Sequence, residues 1–183
     1  MPTRSKLRHG AALCAVLLAQ LPAVASAADA GERAESATPF ALGLPDKPWR
    51  LLVELPGFEM GPVQRPSGSA RALGMAERSG LTVSLTLAPS PQDPSARSCR
   101  DRDWAGRQKL PLMREDTRLS AEGEQARVEF LVPSIDGEAV HEKHVLLYLQ
   151  RDGVCAIVHL WKLHYRPEDA DALERLLGSV RLG

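Results

Sequence analysis

A chain of 183 residues has room for one domain with its own core and needs no second. Its 23 Lys and Arg balance 23 Asp and Glu, and this balance excludes a general nucleic-acid binder, which would carry a basic surplus.

Residues 1–27 read as a secretory signal. Arg4, Lys6 and Arg8 form a positive start, Ala11 to Leu21 an apolar run, and Ala25-Ser26-Ala27 a small-residue cleavage site. The apolar run is too short to span a bilayer, and no membrane span is expected in the mature chain. Leu13 stands before Cys14 where a lipoprotein signal needs a small residue, so no lipid anchor is read. Cleavage after Ala27 moves the basic count from 23 to 20 and directs the chain to the periplasm or the medium.

Residues 28–45, rich in Ala, Glu, Ser, Pro and Gly, read as a flexible leader, and 46–183 as a single α+β domain. Trp49, Leu51, Val53 and Leu55 alternate in a strand stopped by Pro56-Gly57. A second strand follows at Ala70 to Glu77. In LTVSLTLA, Leu81, Val83, Leu85 and Leu87 face one way while Thr82, Ser84 and Thr86 face the other.

Asp93 as N-cap with Pro94 at the first helical position predicts a helix that Gly106 ends, with Ala96, Cys99 and Trp104 on its apolar side. Leu110 to Ser120 fits neither period. Gln125 to Val132 is a strand with Ala126, Val128, Phe130 and Val132 on one face. In the tail, Pro167 opens a short helix with a Leu173, Leu176, Leu177 stripe, which Gly178 closes.

HEKHVLLYLQRDGVCAIVHLWKLHY, residues 141–165, predicts a long hairpin turning at Asp152-Gly153, because the tight primed turn needs positive φ at both central residues. That turn pairs residues whose numbers sum to 305. His144, Tyr148, Cys155, His159 and Trp161 then share one face, while Lys143 opposes Lys162 and His141 opposes His164 on the other. Both faces are apolar near the turn, so one helix is expected on each. Cys99 and Cys155 are the two cysteines of the mature chain and predict a disulfide in an oxidising compartment.

His159 reads as a core histidine with one hydrogen bond. His141 and His164 could share a metal, but the two lysines beside them oppose a cation, and neither a metal nor another cofactor is expected. A basic rim of His141, Lys143, Lys162 and His164, or the segment with Arg100, Trp104 and Lys109, is the candidate binding surface for an envelope protein or a small anionic ligand. The sequence contains no G-x-S-x-G, H-E-x-x-H, Walker or paired C-x-x-C motif.

The element order and the closing Leu176-Leu177-Gly178-Ser179-Val180 resemble secreted bacterial domains of the PsbP-like superfamily. Leu55 to Phe58, Cys99 to Trp104 and Val158 to Leu160 are also similar to stretches of uncharacterised exported bacterial proteins, over roughly residues 45–183. The resemblance implies an antiparallel sheet sandwiched by helices, with a C-terminal helix packed on it. It also implies a non-catalytic binding or assembly-accessory role. The alternative is a small periplasmic hydrolase or metal-dependent enzyme using the histidines of the hairpin.

Overall fold

The computed structural model describes residues 38–183, so the signal expected over 1–27 lies outside the described residues. The fold is α+β. Strands β1 (Phe40–Gly43) and β2 (Arg50–Val53) pair with the closing β10 (Arg181–Leu182) in a small antiparallel sheet. A seven-stranded antiparallel sheet is formed by β3 (Glu59–Met60), β4 (Ala70–Ala76), β5 (Leu81–Pro89), β6 (Glu115–Glu122), β7 (Gln125–Ile135), β8 (Glu138–Arg151) and β9 (Val154–Lys162). Their spatial order is β3-β4-β5-β9-β8-β7-β6. Helix α1 spans Ala96–Arg107 and α2 spans Ala170–Gly178.

Each face of the large sheet has its own core. Leu81, Val83, Leu85, Val145, Val158 and Leu160 pack beneath the small sheet and the α2 residues Leu173, Leu176 and Leu177. On the opposite face, Cys99 and Trp104 of α1 pack on Val128, Phe130, Leu146 and Tyr148. The period-2 patterns explain the division: β5 alternates strictly between buried and half-buried positions along Leu81 to Ala88.

Asp152 and Gly153 take φ of 50° and 71°, and the hairpin register runs from Arg151 opposite Val154 to Lys143 opposite Lys162. Two further contacts hold its tip: Trp49 Nε1 donates to Asp152 Oδ2 at 2.9 Å, and Lys47 Nζ to the Asp152 carbonyl at 3.0 Å.

Several boundaries differ from the sequence reading. Phe40–Gly43, inside the segment read as leader, is strand β1, because Leu42 is fully buried and the backbone pairs with β2. Helix α1 is capped by Ser95 rather than Asp93. Ser95 Oγ accepts from the Ser98 amide, and Ser98 Oγ accepts from the Ser95 amide. Asp93 is instead drawn inward to Ser90 and Arg102. Residues 115–122 form the edge strand β6, exposed along its whole length, which is why they carry no apolar period. A 3₁₀ turn at Pro167–Asp169 precedes α2, and Ser179 caps its far end.

The expected opposition of His141 and His164 is not made. Both adopt left-handed φ, 44° and 52°, which turns the chain out of the pleat, and the β8–β9 ladder ends at Lys143 opposite Lys162. Among the described residues no helix is long and apolar enough to cross a membrane.

Candidate functional site

Helix α1 lies over β7 and β8, so the same face of β4, β5 and β9 is left open beside it. A groove of about 630 Å³ runs there, between the helix and the sheet. Register orders this open face in three cross-strand rows, Arg71–Thr86–Ile157, Leu73–Ser84–His159 and Met75–Thr82–Trp161, and the first two form the groove floor. Hydroxyls occupy the middle strand. Leu73 and Met75 on β4 are more than half exposed, at 55% and 53%, whereas apolar residues on the opposite side of that strand are buried. The wall contributed by α1 is charged, with Arg102, Asp103 and Arg107.

A chain of hydrogen bonds ends in this groove. Glu142 Oε2 lies 3.0 Å from His144 Nε2, and His144 Nδ1 lies 2.9 Å from His159 Nε2. A carboxylate only accepts, so His144 carries its proton on Nε2 and accepts at Nδ1, and His159 donates from Nε2. The tautomer of each ring follows from this assignment. His159 Nδ1 is left as a bare lone pair with no hydrogen-bond partner among the described residues. The two rings belong to an aromatic stack: Phe130 lies face to face with His144 at 4.7 Å, and His159 lies 4.7 Å from Trp161. Arg114 closes the far side, 5.6 Å from the Trp104 ring centroid and 5.5 Å from that of Phe130.

Burial holds both imidazoles in the neutral form. His159 lies well below the usual histidine range, through desolvation first and then through the Arg107 charge and His144. His144 is lowered by desolvation and, more weakly, by Arg107 and Arg114, against the opposing pull of Glu142. On the same wall, burial followed by the Asp103 carboxylate pushes the Tyr148 hydroxyl far up, and that hydroxyl donates to Asp103 Oδ2 at 2.7 Å.

This arrangement makes stability depend on pH. Below the unfolded histidine range near 6.5, the unfolded chain takes up protons that the folded chain refuses, so stability falls with acidification. The expected slope reaches about 1.4 kcal/mol per pH unit for each buried histidine between roughly pH 6.5 and the lowered folded values. Urea denaturation of the protein and of His159→Gln checks it: the variant should lose about half of the slope, and an unchanged slope would remove His159 from the account.

The residues singled out from sequence fall into three groups. Arg100 and Trp104 are buried: Arg100 donates to the Ser120 carbonyl at 2.6 Å and pairs with Asp101, and Trp104 lies in the core under α1. Lys143 and Lys162 face each other across the ladder but are held internally, Lys143 by Glu129 at 2.8 Å and Lys162 by the Ser79 carbonyl at 2.7 Å and Asp169 at 3.7 Å. Only His141, His164 and Lys109 of that set are solvent-exposed, and the segments of His141 and His164 run side by side, with the Tyr165 amide donating to the His141 carbonyl at 2.9 Å. Cys99 and Cys155 stand at disulfide distance, with Cα atoms 6.0 Å apart, and both sulfurs lie in the groove wall. Asp93 brings a carboxylate within 4.8 Å of both sulfurs, but sulfurs bonded to each other offer no thiolate to a metal.

Arg71, Ser84 and Leu73 were not singled out from sequence. Parity alone places Ser84 on the polar face of its strand, but its position beside His159 depends on a pairing between strands far apart in the chain. Ser84 and His159 are directly opposed across the ladder, and no hydrogen bond joins them among the described residues.

No family model matches the sequence, and no curated protein matches it. Among solved structures, the chain is similar to cyanobacterial PsbP (CyanoP) from Synechocystis sp. PCC 6803. The TM-score is 0.51 and the identity 12%, over 80% of this chain and 94% of that one. The fold is therefore PsbP-like.

Proposed function

We propose that this PsbP-like chain is an exported, non-catalytic binding domain whose binding site is the groove between α1 and strands β4, β5 and β9. The observation that carries this reading is the uncovered half of the sheet. It combines a concave volume of about 630 Å³ with apolar rims, a hydroxyl floor and a charged wall, the usual composition of a small-ligand site. A concave site of this size favours a small ligand over a broad protein contact. The basic end of the hairpin is a weaker candidate, because its two lysines are already paired inside the domain.

Native mass spectrometry of the protein after incubation with a low-mass extract of the producing cells tests the reading. A bound adduct is expected on the unaltered protein and is expected to be absent from Ser84→Trp, whose indole would fill the floor. A folded protein with no adduct, or an adduct that Ser84→Trp retains, would sink it.

A further inference from the structure

Resting on that reading of the groove, we infer that its ligand is an organic anion with an apolar body, its charged group set against Arg71 and Arg107 and hydrogen-bonded by His159 after that ring has taken up a proton. Three observations carry the inference.

The first is charge. Arg102 is held by Asp93 at 2.5 Å, and Arg107 Nε by Asp103 at 2.7 Å, but Asp103 also accepts from Tyr148. Arg71 has no ion-pair partner among the described residues, although it stands at the end of the row that reaches Ile157. The groove thus holds three guanidinium groups against two carboxylates, a surplus that an anion complements.

The second is apolar surface. Leu73 and Met75 project from β4 on one side of the Ser84 floor and Trp161 stands two strands away. Neighbouring strands lie about 4.8 Å apart, so these rims stand about 10 Å from each other, the width of a fused ring or an alkyl chain seated between them.

The third is the direction of the hydrogen-bond chain. As the neutral chain stands, His159 offers the groove a lone pair, which repels an anion's oxygen. Protonation at Nδ1 turns that lone pair into a donor, and the hydrogen bonds through His144 to Glu142 polarise to stabilise the positive charge on the His159 ring. His144 on β8 and Arg107 on α1 are the groups whose charge reaches the ring, Glu142 reaches it through His144, and Arg71, Arg102 and Asp103 line the same groove. Arg107 is the cation whose charge opposes the proton in the empty groove. A bound anion neutralises that opposition, so anion and proton should bind together.

Calorimetric titration with 2-naphthalenesulfonate, an anion whose charge does not change across the range, tests this. The probe is expected to bind about tenfold more tightly near pH 5.5 than near pH 7.5, with about one proton taken up per probe at intermediate pH, read by comparing two buffers of different ionisation enthalpy. His159→Gln should bind the probe with no pH dependence, and Arg71→Ala should weaken binding while keeping the dependence. Near-UV circular dichroism confirms that each variant is folded at both pH values. Binding without proton uptake, or an unchanged pH dependence in His159→Gln, overturns the inference. A folded protein that ignores the probe at every pH overturns the ligand class, while the extract experiment judges the groove independently.

Discussion

Replacing Cys99 and Cys155 together by alanine is expected to lower stability by about 4 kcal/mol, since the link closes a loop of about 57 residues. In a domain of this size that is a fall of about 10–15 °C in Tm. The pair ties α1 to β9 directly, and both cysteines are buried, at 1% and 2% exposure, so the cavity left by each sulfur adds to the lost constraint. Urea denaturation with and without reductant checks the origin of the effect. The unaltered protein should become reductant-sensitive and the double variant should not. A loss below about 1 kcal/mol would mean that the helix is held by its apolar contacts alone. Ligand affinity should fall with the link as well, because the position of α1 sets one wall of the groove.

Trp104→Ala is expected to cost about 3–5 kcal/mol, the range for a large buried aromatic. Trp104 is 6% exposed, its ring lies 5.4 Å from that of Phe130, and the Arg114 guanidinium lies over both rings. Removing the indole leaves Arg114 with one ring and opens the stack that continues through Phe130 to His144. Trp104→Phe should recover more than half of the loss, which denaturant titration can resolve. A cost near zero for Trp104→Ala would place the side chain at a surface, where the sequence reading had counted it among the binding residues.

The long hairpin was legible because a two-residue turn fixes register, and register fixes faces. Asp152-Gly153 therefore sufficed to put His144, Tyr148, Cys155, His159 and Trp161 together, and the pairing of Cys99 with Cys155 brings the helix bearing Cys99 over that face. The same rule hid the hydrogen-bond chain. Direct opposition pairs His144 with Trp161 and Leu146 with His159, whereas the bonded histidines are diagonal neighbours, within reach only because both rings are long and lie in one plane-stacked column.

Lys143 and Lys162 do oppose each other, as parity requires, but the sequence could not supply Glu129, which arrives from a different strand. Strand β1 escaped notice because four residues in an Ala- and Pro-rich stretch carry too few alternations to register as a period. Strand β6 escaped because an edge strand with both faces in water has no reason to alternate.

The existence of the groove can be traced to width. Seven strands at about 4.8 Å make a sheet about 29 Å across, while a single helix with its side chains is about 10 Å wide. On the face where α2 lies, a second small sheet makes up the difference. On the face where α1 lies, nothing among the described residues does, so about half of that surface stays bare whatever side chains it bears. Substitutions at Arg71, Leu73 or Ser84 can therefore change what the bare strip accepts without disturbing either core, which leaves the chemistry of this face free to vary while the scaffold beneath it stays fixed.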